Sequence, residues 1–437
     1  ALHTPVLWLI LLLFSIVLFV SAMLTTHQVA YLQDLNFSPF QSASALGLMI
    51  GMSIIGRLSS GFLGMRIEGR VLAAFFMAAM ALGLLALILE PAVKVAFVIA
   101  MVMGAVTVMT WVERRVSAWI QDRLGPNRVG PEGLFQPIAD GIKFLFKEDI
   151  VPPHVYRPLF VLAPALSFVP ALLGSAVIPF GDSIRLFGRD IPLRVADLDV
   201  GILFIFAMSG MGVYGIALAG WSSNNKYSLM GGMRSSAQLI SYELAMGLSA
   251  VGVLMSAGSL RLTEVVLAQD RLLHWNVWSQ PLGAFIFLVA AFAETNRLPF
   301  DMPECESELV GGYHTEYSSM KFAMFFMAEY ANMVTASALM VTLFFGGWQM
   351  PGLAGLSLPP LAVSLLQVAA FLLKTGFFLF FFVWVRWTLP RFRFDQLMDL
   401  GWKAMLPLAL LQIFLTSFLI LFLFFLPPLP RYRVITL

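Results

Sequence analysis

Glu243, Glu329 and Lys374 are ionisable residues placed inside long apolar runs, where an unpaired charge costs on the order of 3 kcal/mol or more. With a helical rise of about 1.5 Å per residue, Glu243 stands ~10 Å beyond its expected helix start, Glu329 ~12 Å from Lys321 and Lys374 ~18 Å from Arg386. These depths predict one buried polar line approached from a single side. Buried carboxylates and a buried lysine can exchange protons near neutral pH. The plainer alternative is a structural Glu–Lys pair that holds helices together. Glu294, nearer the end of its own apolar run, is expected to join this line to a loop.

Two polar stretches could exchange charge with that line. The first, 111–130, carries Glu113, Arg114, Arg115, Arg123 and Arg128 around a Gly125–Pro126 turn and sets them against a membrane surface. The second follows Glu294 and holds Arg297, Asp301, Glu304, Glu306 and Glu308, with Glu316 beyond. Asp301 ahead of Pro303 suits a helix start, and acids in a first turn are favoured by the helix dipole. Capping does not call for glutamates at three alternate positions. Clustered carboxylates repel and titrate as a coupled group, which suits them to sensing a charge that appears nearby. Arg297 and the first-loop arginines are their expected counter-charges.

The elements that must hold these residues are membrane spans. Hydrophobic residues form 59% of the chain and charged ones 12%, which excludes a soluble domain with an ordinary polar surface. Apolar stretches, most of about 18–25 residues and enough to cross roughly 30 Å as helices, recur near 5–24, 42–56, 71–89, 94–112, 156–179, 201–220, 236–256, 281–296, 321–346, 361–385 and 402–426, the second of them short. The first is expected to be a retained span, because it lacks a basic segment ahead of it and a small-residue cleavage site. The predicted fold class is therefore all-α, a polytopic integral membrane protein with about eleven transmembrane helices.

The charges orient these spans. One set of loops holds Arg57, Arg66, Arg70, Arg114, Arg115, Arg123, Arg128, Lys143, Lys147, Lys226, Arg234, Arg297, Arg386, Arg391 and Arg393; in the other, Arg185, Arg189 and Arg194 are offset by Asp182, Asp190, Asp197 and Asp199. The basic loops should be cytoplasmic, which puts the N-terminus there too. Between Arg114 and Pro153 the chain is too polar to span, yet Leu134, Phe135, Ile138, Ile142, Phe144, Leu145 and Phe146 are interleaved with Asp140, Lys143 and Lys147. That pattern predicts an amphipathic helix in the cytoplasmic interface, with an ordinary anchoring loop as the alternative.

Several chemistries are excluded. The single cysteine, Cys305, cannot by itself hold an iron–sulfur cluster, a Cys-based zinc site or an internal disulfide. The near balance of 27 basic and 25 acidic residues carries no nucleic-acid signature. His3, His27, His154, His274 and His314 show no ligand spacing. Residues 210–215 match a dinucleotide fingerprint in letters only, since that motif needs a preceding strand and here it lies within a span.

Several separated motifs carry a family resemblance: Glu113–Arg114–Arg115, the 125–130 loop, 136–140 with Lys143, 221–227, Ser241–Tyr242–Glu243, 294–301, 304–308, 312–317, Glu329–Tyr330 and 344–348. Over roughly 91–437 the chain resembles the family of integral-membrane subunits that sit beneath the quinone chamber of respiratory NADH-quinone oxidoreductase, complex I. The resemblance implies about eight spans that form the membrane side of a quinone tunnel and couple quinone reduction to proton pumping. A hydrophilic partner would carry the terminal iron–sulfur cluster, FMN would bind elsewhere in the complex, and antiporter-like membrane proteins would receive the charge change. This chain would hold no cofactor itself; quinone would be its substrate, within a bacterial inner membrane. Carried over by position, Glu113, Arg114, Arg115, Arg123, Arg128, Asp140 and Lys143 would line or support the tunnel mouth. Arg297, Asp301, Glu304, Glu306 and Glu308 would shape its polar end, and Glu243, Glu294 and Glu329 would begin the proton path, with Lys374 on the same line. The equivalent membrane protein of an energy-converting hydrogenase or formate hydrogenlyase is the rival reading, and a stand-alone secondary transporter a more distant one.

Residues 1–90 fall outside that resemblance. The segments 27–40 and 56–66 look like about three helices of a major facilitator transporter. Met65 stands where that family's short basic loop has an acid, and Glu68 where it has a glycine. Three spans cannot form a two-bundle cavity, so the expectation is a fused remnant or an artefactual join.

Overall fold

Hydrocarbon offers no hydrogen bonds, so each long apolar run must satisfy its own backbone by closing into a helix. The computed structural model describes residues 99–186, 189–303, 306–353 and 359–425, all within a unit running from residue 92 to 437. The expected spans at 5–24, 42–56 and 71–89, the start of that at 94–112 and the transporter-like reading of 1–90 lie outside the described residues.

Helix α1 covers 99–120. It is followed by α2 (Gln136–Phe146), α3 (Arg157–Ser175), α4 (Gly201–Ser222), α5 (Lys226–Ala257), α6 (Pro281–Glu294), α7 (Ser319–Phe344) and α8 (Pro360–Thr388). The last rod starts as α9 (Phe394–Asp399), passes through a π turn at Leu400–Met405 and continues as α10 (Leu406–Phe425). Among the described residues six helices are long and apolar enough to cross a membrane, and α6 is a shorter apolar helix. The chain is thus a polytopic all-α membrane protein, as expected. The exception is a two-stranded antiparallel hairpin, β1 (Ser183–Leu186) with β2 (Arg189–Pro192), which sets Ile184 opposite Ile191. Ser364 of α8 donates to the Ser183 carbonyl at 2.6 Å and ties the hairpin to the bundle.

Alternating directions put the loops after α1, α4, α6 and α8 at one end, the arginine-rich one, and those after α3, α5 and α7 at the other. Helix α5 is central, packing on α4, α6 and α10, while α3 packs on α4 and α7. It starts ten residues before the expected 236–256 span. Asn225 caps it by accepting from the Tyr227 N–H at 3.0 Å, and Gly258 ends it at φ 68°. The added turns carry Ser228, Gly231, Gly232 and Ser235, all buried against protein. Hydropathy missed them because they need not face lipid. Small residues also bring the backbones together: a Cβ on Gly220 would meet the Ser228 carbonyl at 2.6 Å.

The expected amphipathic helix is α2. None of its residues is buried, and Ile138, Ile142, Leu145 and Phe146 are exposed. Ser319 at the start of α7 donates to the carbonyls of Phe144 and Lys147, each at 2.9 Å, and holds its C-terminal end.

Candidate functional site

The site has an outer ring of ion pairs at the arginine-rich end and an inner polar cavity. They meet at Arg297, which sits in the turn that follows α6.

Glu113, late in α1, is buried and receives three side chains. The Arg297 Nη1 donates to its Oε1 at 3.3 Å and Oε2 at 3.5 Å, the Tyr330 hydroxyl donates to Oε2 at 2.6 Å, and Arg386 of α8 donates to Oε1. The Arg297 guanidinium also lies 4.2 Å from the centre of the Tyr330 ring. Burial disfavours its charge, but the field of Glu113, with further contributions from Tyr330 and Glu329, outweighs that and holds its pKa above the ordinary arginine value. Its Nε and Nη2 are buried without a hydrogen-bond partner among the described residues.

Around this node the pairs are more exposed. Arg114 meets Asp140 at 2.5 Å, and Gln136 supports that carboxylate at 3.3 Å. Arg115 pairs with Glu132 and also donates to the Pro126 carbonyl at 3.4 Å. Arg123 donates to Gln121 at 2.6 Å, while Arg128 and Lys143 are exposed. The acids after α6 find other partners than Arg297: Asp301 pairs with Arg391 at 2.9 Å, Glu308 with Arg234 at 2.5 Å, and Glu316 accepts from Asn225 at 2.6 Å. Asp301 lies in the loop and starts no helix; the next short helix begins at Glu306. Glu304 lies outside the described residues, as does the side chain of Glu306.

The inner group is assembled by α4. Ser209 donates to Glu294 Oε1, and a Cβ on the adjacent Gly210 would come within 3.1 Å of Glu243 Oε1. Of the fingerprint-like glycines, Gly210 leaves room for a carboxylate and Gly215 packs closely against Ser167 and the Ala163 carbonyl of α3, while Gly212 meets nothing within 4 Å. Glu294 and Glu329 line one cavity of about 20 Å³ with Ser209, Asn296, Tyr313 and Asn332. The Tyr313 hydroxyl donates to Glu329 Oε1 at 3.4 Å. Gln238 of α5 fixes the turn between the two groups, its Nε2 donating at 2.7 Å to both the Ala293 and Phe300 carbonyls.

Lys374 is not brought to these carboxylates. Its Nζ donates to the carbonyls of Phe345 at 2.9 Å, Gly347 at 3.0 Å and Gln349 at 2.7 Å, in the loop after α7 at the opposite end, and lies 4.4 Å from the Trp275 ring centre. A long side chain reaches several ångströms along its helix, so the depth of its Cα did not fix the depth of its charge.

Sequence reasoning counted Arg386 and Arg391 only as loop charges and did not single out Ser209, Gln238 or Tyr313. Tyr330, directly after Glu329, was the most accessible clue, because a phenol beside an intramembrane acid needs a partner. Among the described residues no group of three or more His, Cys, Asp or Glu converges as a metal site. The arrangement can hold and move protons and fixed charge.

A family model described as NADH dehydrogenase matches residues 93–417. The chain is 52% identical over 312 residues to an H-type subunit of NADH-quinone oxidoreductase from Cytophaga hutchinsonii, covering 71% of this chain and 91% of the relative. It is 51% identical over 338 residues to the H-type subunit from Flavobacterium psychrophilum, covering 77% and 98%. With the corresponding protein of Thermomicrobium roseum the figures are 54% over 323 residues, 72% and 91%.

Proposed function

The chain belongs to the NADH dehydrogenase family, among the H-type membrane subunits of respiratory complex I, and on that premise we propose that it forms the membrane side of the quinone-binding chamber and couples quinone reduction to proton translocation. The observation that carries this reading is Arg297, whose guanidinium binds Glu113 on the chamber side and stands in the turn directly after Glu294, which lines the inner cavity. A charge appearing near Glu113, as when a quinone is reduced and draws protons, changes the field on a fixed cation that also feels Glu329 and whose turn follows the buried Glu294. Such a change shifts the balance of protons held by Glu243, Glu294 and Glu329.

In this reading Arg114, Arg115, Arg123, Arg128, Asp140 and Lys143 support the chamber mouth, and Asp301, Glu304, Glu306 and Glu308 its polar end. The chain makes and breaks no bonds in the quinone; iron–sulfur and flavin chemistry belongs to partner subunits, and antiporter-like membrane subunits take up the charge change. The arginine-rich end faces the cytoplasm of a bacterium, and residues 1–90, outside the family domain, are a fused remnant or an artefactual join.

The test is Glu294→Gln in the assembled complex reconstituted into vesicles, with quinone reduction and proton uptake recorded together. An intact complex that has lost proton uptake is expected. Wild-type proton uptake would overturn the proposal.

A further inference from the structure

Glu294 faces a second cavity that the reading above does not use. It has about 30 Å³ of free volume and is lined by Glu294, Ser209, Asn332 and Thr335 among apolar residues that include Phe206 and Leu339. Asn332 lines both cavities, and Ser209 and Glu294 do too. On α7, Glu329, Asn332 and Thr335 follow one another at helical spacing and so lie on one side of the helix. Thr335 stands ~9 Å further along α7 than Glu329, toward the end opposite the arginine-rich one.

Two of the polar atoms around this second cavity are left without partners. The Thr335 Oγ1 and the Glu294 Oε2 are both buried with no hydrogen bond, in residues only 8% and 7% exposed. Buried polar atoms are nearly always paired, with ordered water when no protein group serves. A space above roughly 10–15 Å³ admits a water if it offers two or more polar partners. This cavity offers both the room and the partners: the carboxylate oxygen, the threonine hydroxyl and the Asn332 amide.

We propose that Asn332 and Thr335 are positioning residues that hold an ordered water on Glu294 Oε2, on the side of that carboxylate away from the quinone chamber. The inference rests on the proposed proton path through Glu294 and extends it. With Ser209 bound to Oε1, the water would complete the second oxygen's hydrogen bonding and let the carboxylate carry charge in an otherwise apolar surrounding.

The test uses the whole complex in vesicles. Thr335→Val keeps the shape of the side chain and removes the hydroxyl; Thr335→Ser keeps the hydroxyl and loses a methyl. Proton uptake about tenfold slower in Thr335→Val, with Thr335→Ser close to wild type, is expected from the loss of one hydrogen bond to a water that serves a charged group. A purely packing role would reverse that order and overturn the proposal. Glu294→Gln, measured alongside, separates the two levels: inactive Glu294→Gln with full-speed Thr335→Val removes only the water site, whereas full-speed Glu294→Gln removes the path beneath it. Should Thr335→Val fail to assemble, a map of the wild-type complex that resolves waters decides. Density within hydrogen-bonding distance of both Thr335 Oγ1 and Glu294 Oε2 is expected, and an empty cavity there would sink the inference.

Discussion

Arg297 and Glu113 are 184 residues apart in the chain, and their side chains meet at 3.3 Å with each more than nine-tenths buried. A buried pair of this kind adds little net stability over an apolar pair, because both charges were taken out of water. Removing one partner is a different matter, since the survivor remains buried and charged. Arg386 shares the same carboxylate, so Glu113 balances two cations.

Glu113→Gln should therefore destabilise the chain by about 3–5 kcal/mol and reduce its recovery in the assembled complex. Arg114→Ala, which breaks a pair that is 49% and 25% exposed, should cost about 1 kcal/mol or less. Thermal unfolding in detergent, with the amount of complex on a native gel, compares the two. Equal losses would mean that Glu113 is not the node the geometry makes it.

Gln238 is the second point of weakness. Its amide holds both ends of the turn that carries Arg297, through the carbonyls of Ala293 and Phe300. Gln238→Leu leaves two buried carbonyls short of a donor, at about 1–3 kcal/mol each. The expected outcome is a complex that assembles in lower yield and whose quinone reduction is slowed, because the turn releases Arg297 from Glu113. Gln238→Glu, which can keep one contact only when protonated, should show the milder form of the defect at acidic pH. Unchanged quinone kinetics in Gln238→Leu would separate the turn from the chamber.

The ends of most helices were legible in the sequence, and their neighbours were not. The expected 201–220, 321–346 and 361–385 became Gly201–Ser222, Ser319–Phe344 and Pro360–Thr388, since apolar length alone sets a span. Which face of each helix turns inward was visible only where an ionisable residue marked it, because in lipid the outer face is as apolar as the inner one. Glu243, Glu294 and Glu329 could be singled out for that reason. That Arg297 would choose Glu113 over the nearer acids Asp301 and Glu308 depends on how α1, α7 and α8 come together, which no local pattern encodes.

Close backbone approach gives a further expectation. A Cβ on Gly231 of α5 would lie 2.7 Å from both the Gly312 Cα and the Tyr313 N–H nitrogen, and backbone cannot move aside as a side-chain tip can. Gly231→Ala should force α5 away from the 312–314 turn, cost about 1–3 kcal/mol and disturb Tyr313, hence Glu329. Gly247→Ala on the same helix meets nothing within 4 Å and should be neutral or stabilising by up to about 1 kcal/mol. The two variants differ only in what surrounds the added methyl, so matching melting temperatures would refute the close contact.

Lys374 lies within an apolar helix yet spends its charge on three carbonyls just past the end of α7. Those carbonyls sit where the helix dipole favours a cation, and the Trp275 ring covers the ammonium. This arrangement assigns the lysine to holding the loop 345–349. Lys374→Met preserves the stem and deletes the donor, so it should loosen that loop, lower stability by about 1–3 kcal/mol and leave the number of protons moved per quinone unchanged. Protease cleavage within 345–353 measures the first effect and proton uptake against quinone reduction the second. A fall in protons moved per quinone with no gain in cleavage would return Lys374 to the line of Glu243 and Glu329, and would mean that its side chain swings between the loop and the carboxylates during turnover.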